Sequence, residues 1–371
     1  MQVVHVVGTR PNFMKIAPLM GALSSRPFAT QALVHTGQHY DRALSDAFFD
    51  DLEMPFPDHF LGVGSGTHAE QTARVMLGLE PVLTALAPDV VVVPGDVNST
   101  MAAAITTAKL GIPLVHLEAG LRSRDRSMPE EHNRVIADHL ADLLLTPTAD
   151  ADANLAAEGV PRERIALVGN VMIDSMLRHL DDAIALDVAR RDYGVDEFVL
   201  VTLHRPGLVD DPGRLTGVVQ ALERIARNCP VLFPAHPRTR GHLERLGWRS
   251  ERVRLLPPQG YLRFLSLEAS ATAVVTDSGG VQEETTVLGV PCFTMRANTE
   301  RPITVTEGTN RLIGTSPVAL DRVRTELASR RPRTPRPPRL WDGRAAQRAA
   351  LAIDARFGAT EVPPRIPVGA S

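Results

Sequence analysis

The apolar runs of this chain are short and unbroken, and each stops at a polar turn. Residues 2–7 end in Gly8-Thr9-Arg10-Pro11, and residues 89–93, with four consecutive valines, end in Pro94-Gly95-Asp96. Residues 113–117 end in Glu118-Ala119-Gly120, and residues 198–203 end in His204-Arg205-Pro206. A run without alternation reads as a strand buried on both faces, the situation of a parallel sheet covered by helices. Helical patterns follow these turns. The 371 residues are enough for two cores. The pattern therefore predicts an α/β chain of two Rossmann-like doubly wound domains, joined near residues 170–197, whose polar strand ends face a shared cleft. The expected division is 1–170, then 171–357 with a C-terminal helix from Gly343 to Phe357, then a loose tail over 358–371.

The strand ends carry the chemistry. Residues 276–284 read Thr-Asp-Ser-Gly-Gly-Val-Gln-Glu-Glu, after an apolar run and before a helix. Free N–H groups at a helix N-terminus suit a phosphate or diphosphate. Gly279 and Gly280 have no side chain to block its approach, and Ser278 can cap the helix or donate to a phosphate oxygen. Glu284 sits one turn further in, where a carboxylate could accept from a ribose diol. A capped helix after a strand is the plainer reading of Ser-Gly-Gly alone, but other strand ends are polar too. Arg10 and Lys15 set two cations at the end of the first strand, which favours an anion site over two solvated charges. Asp96 at a strand end is a cap or a catalytic acid in equal measure. The stretch from Glu118 through Arg122, Arg124, Asp125, Arg126, Glu130 and Glu131 to Arg134 is the most charged of the chain. It opens a helix at Pro129 with acids in the first turn, as the helix dipole favours. In the second half His204, Arg205, His236, Ser278, Arg296 and Arg301 gather at one sheet edge. Gln38 and His39 lie in a loop after the second strand. Gly62–Gly66 has the wrong spacing for a dinucleotide fingerprint and reads as a loop.

Composition removes several classes. A net charge of −3 argues against nucleic-acid or anionic-membrane partners, and 4% aromatic residues offer no stacking platform. No run is long enough to span a membrane, and residues 3–7 read as a strand rather than a signal peptide, so a soluble cytoplasmic protein is expected. Cys229 and Cys292 lie beside apolar runs and read as buried small hydrophobes. No spacing of His, Cys or carboxylates resembles a metal site, so neither metal nor cofactor is expected.

Taken in order, the segments at 8–18 (GTRPNFMKIAP), 94–96 (PGD), 116–123 (HLEAGLRS), 128–134 (MPEEHNR), 202–206 (TLHRP), 276–284 and 299–312 (TERPITVTEGTNRL) resemble the UDP-N-acetylglucosamine 2-epimerase family. The likeness runs over residues 1–350, and the ordered set is far more specific than any one motif. It implies a two-domain GT-B-like fold, a homodimer, and interconversion of UDP-GlcNAc and UDP-ManNAc with no cofactor. UDP is eliminated across C1 and C2 to leave 2-acetamidoglucal, then adds back with the proton on the opposite face. Carried over by position, Asp96, Glu118 and Glu130 match the family's acid/base carboxylates. His204 matches the histidine at the departing phosphate oxygen. Arg10, Lys15, Arg134, His236, Ser278, Gly279 and Gly280 match substrate-binding positions, and Glu284 matches the ribose ligand. The loop of Gln38 and His39 matches one at which some members bind an activating second substrate molecule. Asn12, Met128 and the Leu203–Gly207 segment depart from the best-known branch and bear on the sugar accepted. A hydrolysing epimerase releasing ManNAc and UDP, an epimerase of a related UDP-2-acetamido sugar, and a GT-B glycosyltransferase are the competing readings.

Overall fold

The computed structural model describes residues 1–26, 29–38, 54–329 and 337–358. His39, residues 330–336 and the tail beyond 358 lie outside them, as does the side chain of Arg10. The chain divides into two compact units, one from Met1–Ser175 with the C-terminal segment from Arg339, the other from Met176–Pro338.

Unit 1 is built on strands β1 (Gln2–Val7), β2 (Thr30–His35), β3 (His59–Phe60), β4 (Val90–Pro94), β5 (Leu114–Leu117), β6 (Leu143–Thr146) and β7 (Ile165–Leu167). All pair in parallel in the order β3-β2-β1-β4-β5-β6-β7. Between them run α1 (Arg10–Ser24), α2 (His68–Leu86), α3 (Asn98–Lys109), α4 (Pro129–Leu140) and α5 (Ala149–Ala157), with α6 (Val171–Leu186) after β7. The four valines of β4 are fully buried, as their unbroken run predicts. The order reverses between β1 and β4. Two loops diverge there and leave a crevice at the carboxyl ends, where Gly8–Arg10 and Gly95-Asp96 emerge.

Unit 2 repeats the plan with β8 (Val199–Thr202), β9 (Val231–Pro234), β10 (Val253–Leu256), β11 (Ala273–Thr276), β12 (Cys292–Thr294) and β13 (Asn310–Leu312), in the parallel order β10-β9-β8-β11-β12-β13. Its helices are α7 (Val188–Tyr193), α8 (Pro206–Val209), α9 (Pro212–Ala226), α10 (Pro237–Arg245), α11 (Tyr261–Ser270), α12 (Gly279–Leu288), α13 (Ile303–Thr306) and α14 (Asp321–Ser329). Successive residues of one strand serve two cores. Val199 and Val201 pack in one with Val231, Phe233 and Val275. Leu200 packs in the other with Phe198, Leu232 and Val274. Both faces of the sheet are thus covered, which is why these strands show no polar alternation. The switch point lies between β8 and β11 and brings out His204 beside Asp277 and Ser278. Cys229 and Cys292 are buried free thiols.

One expectation is corrected. The last helix, α15 (Ala345–Phe357), belongs to unit 1 and not to the second domain. It buries Ala345, Ala346, Ala349, Ala350 and Ile353 and packs on α1. Asp174 caps it by accepting from the Ala345 and Ala346 N–H groups at 3.1 and 2.6 Å. Trp341 Nε1 donates to the Pro147 carbonyl at 3.2 Å. The amphipathic pattern gives this helix a buried face, but only these contacts identify what covers it.

Candidate active site

In unit 1 the turn after β1 is tied to the end of β4 by Asn12. Its Oδ1 accepts from the Gly8 and Thr9 N–H groups, both at 3.1 Å, and its Nδ2 donates to the Pro94 carbonyl at 3.1 Å. A glutamate there would keep the acceptor and lose the donor. One turn on, Lys15 is buried and its Nζ donates to Glu118 Oε2, itself buried. Gly95 has φ +65°, and a Cβ on it would lie 2.8 Å from Lys15 Nζ. A side chain at this position would have to displace Lys15 within the ion pair.

Glu118 follows β5 with φ +71°, a left-handed conformation rare for residues with a side chain and costing about 1 kcal/mol. The turn is held by what surrounds it. The Glu118 and Ala119 N–H groups both donate to the Leu145 carbonyl at 3.0 Å. Two residues earlier, the two ring nitrogens of His116 lie against Asp138 Oδ1 at 2.6 Å and the Gly95 carbonyl at 2.7 Å. Asp138 is fully buried and also accepts from Arg122 Nη1 at 2.7 Å and from the Gly120 N–H at 3.1 Å. Burial works to raise its pKa, but His116 and Arg122 overcome that and hold it below the usual carboxylate value. His116 thus links the turn carrying Asp96 to the strand carrying Glu118.

Asp96 Oδ2 accepts from Arg134 Nε and Nη2 at 2.9 and 2.6 Å. Arg134 Nη1 turns to Glu131 Oε2 at 2.6 Å. Glu131 also accepts from the Ser123 N–H and hydroxyl and the Arg124 N–H, so it holds the charged loop on α4. Its neighbour Glu130, half-buried in the first turn of α4, has no hydrogen-bond partner among the described residues. Adjacent carboxylates thus differ: Glu131 is engaged by the charged loop and Arg134, and the Glu130 carboxylate is not. Lys15, Asp96, Glu118, Glu130 and Arg134 all belong to the carboxyl edge of this sheet. Gln38 is buried, its Oε1 accepting from the Ser99 N–H and hydroxyl at 3.1 and 2.8 Å, which is a structural engagement at the start of α3.

In unit 2 the motif at residues 276–284 also carries Asp277, for which the sequence gives no signal of a role. It is fully buried and accepts from the His204 N–H at 2.9 Å and the Arg205 N–H at 2.8 Å. Its Oδ1 also lies 2.9 Å from His204 Nδ1. Burial opposes its charge, but the bonds from His204 and Arg205 bring its pKa below the usual value. His204 is therefore held by its inner nitrogen while its side chain stays 42% exposed. The His236 ring stands 6.3 Å from it, and His236 Nδ1 accepts from the Arg238 N–H at 3.2 Å. Both histidines turn their Nε2 side away from these anchors.

Ser278 takes the N-cap position of α12 without a side-chain capping bond, which leaves its hydroxyl uncommitted to the helix. Gly279 opens α12, and a Cβ on it would lie 2.6 Å from Arg301 Nη1. Arg301 is buried in an ionic cluster with Glu300, Glu283 at 2.9 Å, and Arg296, which bonds Glu300 at 2.6 Å. The arginines that the sequence places at this edge are thus paired supports behind the glycine turn. Glu284 is buried one turn further on, and the Tyr261 hydroxyl donates to it at 3.4 Å. Burial pushes Glu284 up to about 7.

A family model described as UDP-N-acetylglucosamine 2-epimerase matches residues 21–354. The UDP-N-acetylglucosamine 2-epimerase of Methanocaldococcus jannaschii is 41% identical over 325 residues, 85% of this chain and 88% of that one. The UDP-2,3-diacetamido-2,3-dideoxy-D-glucuronate 2-epimerase of Pseudomonas aeruginosa is 42% identical over 332 residues, 88% of this chain and 92% of that one. The crystal structure of the M. jannaschii UDP-GlcNAc 2-epimerase with UDP-GlcNAc and UDP superposes with a TM-score of 0.89 at 38% identity, covering 96% of this chain and all of that one. The pairing of two parallel-sheet α/β domains is thus the GT-B-like fold of those enzymes.

Proposed function

Because the chain belongs to the UDP-N-acetylglucosamine 2-epimerase family, we propose that it is an isomerase interconverting UDP-GlcNAc and UDP-ManNAc without hydrolysis. The observation that carries this reading is the set of carboxylates interleaved with buried cations at the edge of the first sheet: Glu118 on Lys15, Asp96 on Arg134, and Glu130 with no partner among the described residues. Inverting C2 requires removing a proton from a carbon that no carbonyl activates. Elimination solves this. The C2–H and C1–O bonds break, a C1–C2 double bond forms, and UDP departs with the bonding electrons. Addition runs the same steps backwards, with the proton given to the other face of C2. One carboxylate takes the proton and another returns it, and the reverse reaction exchanges their roles. Asp96, Glu118 and Glu130 are the acid/base set.

The diphosphate gains charge as it leaves, so it needs donors already in place. Arg10, Lys15, Arg134 and His236, the hydroxyl of Ser278 and the N–H groups of Gly279 and Gly280 serve it. His204, held by Asp277, donates to the oxygen that breaks from C1. Glu284 accepts from the ribose hydroxyls. The enzyme works as a homodimer in the cytoplasm, in keeping with its family and with the absence, among the described residues, of a helix long and apolar enough to cross a membrane. A second substrate is favoured by one observation: the relative at 42% identity acts on a diacetamido uronate.

Proton NMR of UDP-GlcNAc with the protein in deuterated water tests the reading. Deuterium at C2 together with UDP-ManNAc supports it. Free ManNAc and UDP would replace it by the hydrolysing reaction. No exchange with UDP-GlcNAc, but exchange with the diacetamido uronate, would move the activity to that sugar. Light scattering on the same sample reads the dimer.

A further inference from the structure

Helices α11 and α12 pack against each other, and two acids meet between them. Glu268 of α11 is completely enclosed, and neither of its carboxyl oxygens has a hydrogen-bond donor among the described residues. Its side chain is within hydrogen-bonding reach of Glu284 of α12, which retains 4% exposure. Two carboxylates in contact inside a protein do not both ionise, because the Coulomb repulsion adds to the loss of hydration. One proton must be shared. Among the described residues the enclosed Glu268 has no donor that could stabilise its charge. Glu284 has the Tyr261 hydroxyl and the remaining opening to ligand.

Among the described residues, no titratable group acts on the pair as a compensating cation. Tyr261 lies seven residues before Glu268 on the buried face of α11, and its ring stands edge-on to His179 at 6.3 Å. Glu283, next to Glu284, is engaged by Arg301 at 2.9 Å. Cys292 approaches from β12, and burial pushes its thiol up to about 12.

We propose that Glu268 is the positioning residue of Glu284: its protonated carboxyl donates to Glu284, fixes the carboxylate that receives the ribose diol, and makes nucleotide binding release a proton. The inference rests on the reading of Glu284 as the ribose ligand. Burial pushes both acids upward, Glu284 to about 7 and Glu268 well above the ordinary range. At neutral pH a fraction of the free enzyme therefore carries a second proton, on Glu284. A diol donating to Glu284 favours its charged form and expels that proton. UDP affinity should rise as pH rises towards 7 and level off above it, by at most about tenfold per pH unit.

The test is calorimetric titration of the full-length protein with UDP between about pH 6 and 8, for wild type, Glu268→Gln and Glu268→Leu. The titration of UDP itself is common to all three proteins and cancels in the ratios. Glu268→Gln keeps a donor and cannot take up a proton. The expelled proton sits on Glu284, whose burial is unchanged, so this variant should keep near-wild-type affinity, pH dependence and proton release. Glu268→Leu removes the donor and should weaken UDP roughly tenfold, raising KM for the UDP-sugar more than it lowers kcat. Wild-type affinity and pH profile in both variants would overturn the proposal. If Glu268→Leu does not fold, proton release on UDP binding by wild type against Glu284→Gln still decides, equal release in the two overturning the proposal. 2′-Deoxy-UDP and Glu284→Gln separate the two levels. Unchanged affinity in both would sink the ribose reading and this inference with it. Weakened affinity in both, beside silent Glu268 variants, would sink this inference alone.

Discussion

His204 Nδ1 lies 2.9 Å from Asp277 Oδ1, and Asp277 is fully buried while His204 reaches solvent. The carboxylate also takes the backbone N–H groups of His204 and Arg205, so one side chain fixes both the position and the ring of the histidine. Asp277→Asn would turn an amide donor towards groups that themselves donate. The expected result is a fall in kcat of roughly 10²- to 10⁴-fold with UDP affinity changed much less. Steady-state epimerisation and UDP titration read the two effects. A kcat within threefold of wild type would remove Asp277 from the mechanism.

Glu118→Gln keeps the size of the side chain and removes both the proton acceptor and the charge beside Lys15. Turnover should fall by at least about 10²-fold while UDP still binds. Deuterium wash-in at C2 should fall in parallel. Exchange at the wild-type rate without net epimerisation would instead place Glu118 in only one of the two proton transfers.

Gly279→Ala would drive a methyl group to 2.6 Å from Arg301 Nη1. Arg301 is held on several sides and has little room to withdraw. A stability loss of about 1–3 kcal/mol and a clear weakening of UDP are expected, read by chemical denaturation and calorimetry. Unaltered UDP affinity would show that this turn does not cradle the diphosphate.

Glu284 carries a stability cost that depends on pH. Its folded pKa is raised to about 7 from an ordinary value of 4.5, so the native state binds more protons between those values. Stability therefore falls as pH rises through that window, and the penalty is complete above about 7. Glu284→Gln should melt a few degrees higher than wild type at about pH 8, with the gain shrinking towards pH 5. A pH-independent difference in Tm would contradict this account. The same variant should bind UDP more weakly, so it exchanges function for stability.

The two sheets are legible in the sequence because their central strands are buried on both faces, and an unbroken run such as Val90–Val93 has few other fates. The edge strands β3 and β13 are not, since two or three residues carry no period. Among the candidate residues, ordered motifs lead to Asp96, Glu118 and Glu130 in unit 1 and to His204 in unit 2. They do not lead to Asp138, whose bond to His116 spans 22 residues and depends on how α4 lies on β5. Nor do they separate Glu130 from Glu131. Both are acids in one helical turn, and only the loop that donates three hydrogen bonds to Glu131 tells them apart.

The placement of α15 bears on how the protein is made. Unit 1 begins at the first residue and is closed by a helix from the end of the chain, with all of unit 2 synthesised in between. While the ribosome is still translating unit 2, the surface of α1 on which α15 later packs has no covering helix, and Asp174 has no helix to cap. Unit 2 is contiguous and can complete itself first. Unit 1 therefore closes only after the whole of unit 2 has been made, and a chain released before Ala345 would lack the helix that covers α1.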